Sequence, residues 1–255
     1  MIKYDKEFNI HLEIETGMNR TGINIKDLNK FIETIKPSKI NIEGVYSHLS
    51  SADFDKEYTE KQINIFKEAL KILEDNSINL KYIHISASNG ILNYEDLGFT
   101  NLVRPGIIMY GYESFNGANK IINTEPICKL KSIVSFIKEV DANEAISYAQ
   151  KYVTKEKSII ATIPIGYGDG YRRALTNNTY VLINGKKAQA VGTICMDSFM
   201  VDITEINDVK VGDEVIIFDN ENIKLEELSD KCNTINYEIL CNINNRVPRL
   251  FIDNK

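Results

Sequence analysis

The 255-residue chain is 43% hydrophobic and 26% charged, a balance that suits a folded protein with one large or two modest cores and excludes a disordered chain. Its net charge of -6 comes from lysines interleaved with aspartates and glutamates, so no basic stripe is available for nucleic acid and a small molecule is the expected partner. No apolar stretch approaches the roughly 20 residues of a membrane helix, and the Met1-Ile-Lys-Tyr-Asp-Lys-Glu7 start lacks the apolar core of a signal peptide, so a cytoplasmic protein with no membrane partner is expected.

In chain order, the first half alternates strand and helix signals in four βα units. A short alternating strand, Ile10 to Ile14, leads into Thr16-Gly-Met-Asn-Arg-Thr-Gly22 and a helix from about Ile25 to Ile35, stopped before Pro37. A second strand, Ile40 to Tyr46, is followed by the strongest helical pattern in the chain, in which Ile63, Phe66, Leu70 and Leu73 recur on one face. Lys81 to Ile85 is the third strand and leads through Ser86-Ala-Ser-Asn-Gly90 into a weaker helix. Asn101 to Arg104 is the fourth. Arg104-Pro-Gly-Ile-Ile-Met-Tyr-Gly111 then combines a strand end, a cation and a Gly-led helix start, the elements of a phosphate site. Leu102, Val103, Ile107, Ile108 and Met109 predict burial on both sides of Arg104.

From about Pro126 the pattern becomes alternating β: Leu130 to Val140, Ser158 to Ile165, Tyr180 to Ile183, Ala188 to Val191, Phe199 to Ile203 and Glu214 to Phe218, with Asn184-Gly185 as a hairpin turn. Tyr148 is expected to end a short Ala-Ile-Ser-Tyr strand. Gly166-Tyr-Gly-Asp-Gly-Tyr-Arg-Arg173 has no amphipathic helix after it and reads as a turn exposing Tyr167 and Arg173 rather than a nucleotide loop. Two helices close the chain, the second from Thr234. The expected fold is therefore four βα units, half of a TIM-type (β/α)8 barrel that needs about 250 residues when complete, over residues 1–125, and a β-rich domain over 126–255.

Active sites of such barrels lie at the C-terminal ends of the strands. Arg20, His48, Ser88 and Arg104 all fall on that edge, and their common position is what makes them candidates. Cys128, Cys195, Cys232 and Cys241 form no Cys-x-x-Cys pair and, with only three histidines in the chain, predict buried free thiols and no metal site.

Seven runs then carry a resemblance. Leu12-Glu-Ile-Glu-Thr-Gly-Met-Asn-Arg-Thr-Gly22, Gly44-Val-Tyr-Ser-His-Leu-Ser-Ser-Ala-Asp53, Val103 to Gly111, Ser147-Tyr148, Ile165 to Tyr171, Ile194-Cys-Met-Asp197 and Asn236-Tyr-Glu-Ile-Leu-Cys241 resemble alanine racemase in that order, across essentially the whole chain. The resemblance implies a pyridoxal-phosphate enzyme, a head-to-tail homodimer in which the β domain of one subunit completes the barrel site of the other, and interconversion of L- and D-alanine for peptidoglycan. It implies that Arg104 faces the cofactor's pyridine nitrogen. Gly106 and Ile107 by their amides, and Ser88 and Tyr237 by their hydroxyls, would hold the phosphate. His48 would lie between Arg104 and Tyr148, with Tyr148 of the partner subunit serving one face of the α-carbon. Arg20, Met196 by its N–H, and Asp197 would hold the amino acid, and Asp53, Asp197, Tyr167 and Arg173 would line its approach corridor.

The lysine that serves the other face in this family, and carries the cofactor covalently, belongs to a Lys-Ala-Asn-Ala-Tyr-Gly-like segment that does not occur in this sequence. The resemblance therefore implies a chain matching the family from its fifth barrel strand onward, incomplete as a catalyst, with a complementing N-terminal half as a possible partner. Glu13 stands where many members carry a carbamylated lysine, which implies a permanent Glu13–Arg20 ion pair. Thr193 stands where the corridor often has an arginine. A serine racemase of the serine/alanine branch, suggested by His84-Ile-Ser-Ala-Ser-Asn-Gly-Ile-Leu-Asn-Tyr94, and a non-catalytic fragment or half of a split enzyme are the alternatives; Tyr237 beside the substrate methyl favours alanine over serine.

Overall fold

The computed structural model describes residues 6–94, 97–113 and 122–252. They form two compact units that meet between Glu125 and Pro126.

The first unit is built on a parallel sheet of β1 (Phe8–Glu15), β2 (Ile23–Asn24), β3 (Ile40–Tyr46) and β4 (Tyr82–His84), in the order β2-β1-β3-β4. The two-residue β2 had no signal in the sequence. The sheet's two faces are chemically different because side chains alternate along a strand. Leu12, Ile14 and Val45 are buried on one face, together with Leu28 and Ile32 of α1 (Ile25–Ile35) and Ile63, Phe66, Ala69 and Leu73 of α2 (Lys56–Asp75). Asp55 caps α2 by accepting the Tyr58 N–H at 2.9 Å. The opposite face carries His11, Glu13, Tyr46, Tyr82 and His84.

The register between β1 and β3 shifts after Ile10, which pairs with Ile42, so that His11 pairs with Gly44. An extra residue, Glu43, is thereby inserted into β3. The apolar spacing of Ile40, Ile42 and Val45, two residues and then three, requires such a bulge if all three side chains are to reach the core. Beyond it, His11, Gly44 and Tyr82 form one cross-strand row, and Glu13, Tyr46 and His84 form the next.

The expected fourth strand is reduced to a single parallel bridge, Ala87 with Arg104. The chain is nonetheless held there by Asn101 N–H to Ile83 O at 3.0 Å and Arg104 N–H to Ser86 O at 3.0 Å. α3 (Ser88–Asn93) is the weak helix expected after β4, and Ile107–Tyr110 is a 3-10 turn. The predicted burial around Arg104 is met by Ile107 alone among the fully buried residues. Val103 is 50% and Met109 67% exposed, with Leu102 also exposed, because an extended segment with one bridge has no second layer within its own unit to cover both sides.

The second unit is an antiparallel seven-stranded sheet in the order β5-β11-β8-β9-β10-β7-β6. Its strands are β5 (Leu130–Ile133), β6 (Phe136–Val140), β7 (Ser158–Ile163), β8 (Tyr180–Ile183), β9 (Lys186–Val191), β10 (Phe199–Asp202) and β11 (Glu214–Phe218). The segment expected as one strand from Leu130 to Val140 is two. Val134 N–H bonds Asp213 O and Ser135 N–H bonds Thr162 O, so the chain leaves β11 for β7 within two residues. Since β5 and β6 are the two ends of the sheet order, the sheet must curl until its ends nearly meet. Asn184 and Gly185 have φ of 50° and 72°, as the tight β8–β9 hairpin requires. α4 (Leu225–Lys231) and α5 (Asn236–Asn242) pack on each other, and α5 begins two residues after the expected Thr234. All four cysteines are free, but none is fully buried and Cys241 is exposed, correcting the expectation of buried thiols.

Candidate active site

In the first unit, polar side chains converge on Arg104. Its Nη1–H donates to His84 Nδ1 at 2.5 Å and its Nη2 donates to Ser47 O at 2.8 Å, with longer contacts to His48 Nδ1 and Ile85 O at 3.3 Å. The guanidinium lies 5.3 Å from the Tyr46 ring centroid, and Tyr46 stacks on His84 with an interplanar angle of 2°. Among the described residues, Arg104 Nε–H donates to no protein acceptor. A spare N–H on a partly buried guanidinium suits a neutral ring nitrogen that accepts one hydrogen bond, so the donor set fits the pyridine nitrogen of pyridoxal phosphate.

His48 and His84 both face a group that can only donate, so each must present a lone pair at Nδ1. Burial first, then the Arg104 charge, hold both imidazoles below their ordinary pKa, with Arg20 adding to the effect at His48 and His11 at His84, which is pushed down to about 4. Burial also lowers Arg104 itself and raises the Tyr46 phenol, whose hydroxyl donates to Glu13 Oε2 at 3.1 Å. His84 makes the closer contact to Arg104, whereas the sequence pointed to His48 alone. The missed signal was the position of His84 at the end of β4, four residues before Ser88.

His48 is placed by a residue that the sequence did not single out. Gln62, fully buried on α2, donates to His48 O at 3.1 Å and Thr16 Oγ1 at 3.2 Å, and its Oε1 accepts from Ser50 N–H at 2.9 Å. A single amide thus ties the loop after β1 to the loop after β3. Asp53, at the far end of that loop, accepts from Asn89 Nδ2 at 2.8 Å. Ser88 is buried and its Oγ accepts the Gly106 N–H at 2.9 Å. The Gly106 amide is therefore engaged internally, whereas the N–H groups of Ile107 and Ile108, which open the 3-10 turn, have no acceptor within it. The Ser88 hydroxyl hydrogen remains available for a phosphate oxygen.

The Glu13–Arg20 ion pair is not formed. Glu13 Oε2 instead accepts from Thr21 Oγ1 at 2.7 Å and from Tyr46, while the Arg20 side chain is exposed. The partners that Glu13 has in the fold are these two neutral hydroxyls, both on Oε2.

In the second unit, Tyr148 opens a 3-10 turn rather than ending a strand, and only the neighbouring Ala145–Val153 bridge is sheet-like. The backbone here is strained: Ser147, Ala149 and Gln150 have φ of 64°, 60° and 49°. Buried Thr193 holds the turn, donating from Oγ1 to Tyr148 O at 2.8 Å, while Ser147 Oγ donates to Thr193 O at 2.6 Å. Thr193 thus has a local positioning role. The Tyr148 side chain is 69% exposed.

Tyr167 N–H and Gly168 N–H donate to Cys195 O and Met196 O at 3.1 and 2.8 Å, zipping the glycine loop to the Met196 segment. A Cβ on Gly166 would come within 2.3 Å of Cys195 O, so only glycine permits this approach. Arg246, absent from the sequence-based candidates, bridges Asp169 at 3.3 Å and Asp197 at 2.5 Å. Met196, Asp197 and Tyr167 therefore cluster, whereas Arg173 sits exposed on its own 3-10 turn and Tyr237 in the first turn of α5.

Residues 2–114 match the family model for the alanine racemase N-terminal domain and residues 127–251 that for its C-terminal domain. The chain is 42% identical to alanine racemase 2 of Caldanaerobacter subterraneus subsp. tengcongensis over 255 aligned positions, covering 97% of this chain and 65% of that protein. It is 41% identical to the alanine racemase of Clostridium perfringens strain SM101, covering 99% of this chain and 67% of that protein. Among solved structures it resembles alanine racemase from Bartonella henselae with covalently bound pyridoxal phosphate, with a TM-score of 0.83 and 32% identity over 97% of this chain and 67% of that one. The chain spans about two thirds of the length of the relatives it matches. Seven ordered motifs, two consecutive domain matches and a shared fold, an N-terminal barrel domain followed by a β-rich domain, agree: this chain belongs to the alanine racemase family.

Proposed function

We propose that the protein interconverts L- and D-alanine with pyridoxal phosphate, acting as a homodimer or with a complementing N-terminal segment, and that its parallel sheet is the C-terminal half of a TIM-type (β/α)8 barrel. The observation that carries the reading is the Arg104 centre: a guanidinium held by His84, His48 and the Ser47 carbonyl, whose Nε–H has no acceptor among the described residues. When bound, the cofactor supplies the electron sink that makes the α-proton of an amino acid removable. Arg104 is permanently cationic and donates without yielding a full proton, which moderates that sink and favours clean racemisation over side reactions. His48 keeps Arg104 aimed. The phosphate would be held by the hydroxyls of Ser88 and Tyr237 and by the Ile107 amide, while the Gly106 N–H donates to Ser88 Oγ and so turns that hydroxyl's hydrogen toward the phosphate.

Tyr148, held out from its strained turn by Thr193, exchanges the α-proton on one face through its phenol. Arg20 and the Met196 N–H bind the substrate carboxylate. Asp197, Asp53, Tyr167 and Arg173 line the approach. The exposure of Tyr148 and Met196 in this unit suits residues that act across a subunit boundary. Peptidoglycan synthesis is the expected use of the product and the cytoplasm its expected location; among the described residues, no helix is long and apolar enough to cross a membrane.

The test is titration of the protein with pyridoxal phosphate and, separately, with pyridoxal, followed by borohydride reduction to map any labelled lysine and chiral analysis of L-alanine incubated with the loaded protein. Saturable, phosphate-dependent binding that Arg104→Ala weakens, with D-alanine formed, supports the reading. Failure to bind the cofactor, or binding indifferent to Arg104, overturns it.

A further inference from the structure

His84 does not end the hydrogen-bond chain that begins at Arg104. Its Nε2 lies 2.8 Å from His11 Nδ1. Arg104 can only donate, so His84 Nδ1 accepts; a neutral His84 then carries its proton on Nε2, and His11 Nδ1 must accept in turn. The polarity of the whole row follows from the one group in it that cannot lose its proton.

We propose that His11 is a positioning residue for Arg104: by accepting the His84 Nε2–H it holds that ring in the only neutral tautomer that offers Arg104 a lone pair. The proposal deepens the reading of Arg104 as the group facing the cofactor's ring nitrogen, and rests on it for its consequence but not for its geometry.

The fold is shaped for this placement. The β3 bulge sets His11 opposite Gly44, and a Cβ there would come within 2.8 to 2.9 Å of His11 ring atoms. The ring thus lies over bare backbone and stacks on Tyr82 of the next strand, centroids 5.4 Å apart. The titratable groups around it are Tyr82 and His84 from β4, Tyr46 from β3 and Glu13 from β1, with Lys81 and its partner Glu43 beyond the Tyr82 ring. None of them gives His84 Nε2 another acceptor among the described residues. Protonation of His11 would place an N–H against the His84 N–H. Moving the His84 proton to Nδ1 would only transfer that conflict to Arg104. The row therefore works with His11 neutral and loosens when it is cationic.

With three histidines in the chain, the test is long-range proton–nitrogen NMR of histidine-labelled protein. Wild-type His84 should show a protonated Nε2 and a bare Nδ1 at neutral pH, and a protonated Nδ1 there overturns the proposal outright. His11→Phe, which cannot accept, should give a mixed or inverted His84 tautomer and a roughly tenfold weaker affinity for pyridoxal phosphate. His11→Gln, which can accept but not titrate, should restore the wild-type tautomer and affinity. Gly44→Ala, which displaces the ring while keeping the histidine, should mimic His11→Phe. An unchanged His84 tautomer in both His11→Phe and Gly44→Ala refutes the role of His11 whether or not the cofactor binds. Failure of the wild-type protein to bind the cofactor, with the tautomer pattern as expected, counts against the functional reading alone.

Discussion

Acidification should remove stability from this protein through His84, and the size of the effect can be worked out. In the unfolded chain a histidine titrates near its ordinary value of about 6.5. In the fold, burial, Arg104 and His11 bring His84 down to about 4. A depressed folded pKa means that the unfolded state binds the proton first, so the contribution is intact above about pH 6.5 and is lost as the pH falls toward 4. Between pH 7.5 and 5 the two pKa values give a loss of about 2 kcal/mol, from about 1.4 kcal/mol per pH unit over most of that interval. Urea unfolding across that range for the wild type and His84→Gln isolates the term, because His48, lowered for the same reasons, titrates in both. The wild type should lose about 2 kcal/mol more than the variant. Equal pH slopes, or a His84 Cε1 proton resonance that titrates near 6.5 in the folded protein, would refute the account of Arg104 and burial acting on this ring.

Two further outcomes follow from particular residues. Ala149→Gly should stabilise the protein by about 0.5–1 kcal/mol, since relief of about 1–2 kcal/mol of left-handed backbone strain at φ 60° exceeds the added chain entropy; thermal unfolding reads it, and a lower midpoint would show that the turn is not strained. The same variant should slow racemisation by freeing Tyr148. Gln62→Leu should cost about 2–4 kcal/mol, because the Ser50 N–H and His48 carbonyl lose their buried partner; denaturant unfolding measures it, and a shifted His48 resonance should accompany the loss.

The residues legible in advance were those whose role is local. Arg104, Ser88 and His48 stand at strand ends within runs whose turn chemistry is explicit, and Asn184-Gly185 specifies its hairpin. His11, Gln62 and Arg246 left no such mark. Each acts on a partner distant in the chain: His11 on His84, Gln62 on Thr16 and His48, Arg246 on Asp169 and Asp197. The Glu13–Arg20 pair failed for the converse reason. The family's carbamylated lysine at the position of Glu13 implied an ion pair, but the sheet placed Tyr46 beside the carboxylate from 33 positions away.

The sequence by itself determined the two-part architecture, most strand and helix positions, the family and the set of groups at the strand ends, because periodicity, turn residues and motif order are properties of neighbours along the chain. Tertiary structure alone decided which histidine holds Arg104, in which tautomer, and how the Tyr148 turn is strained and held. Those depend on register: one bulged residue in β3 sets His11 over Gly44 and lets a proton on one strand determine the geometry of a guanidinium beyond another.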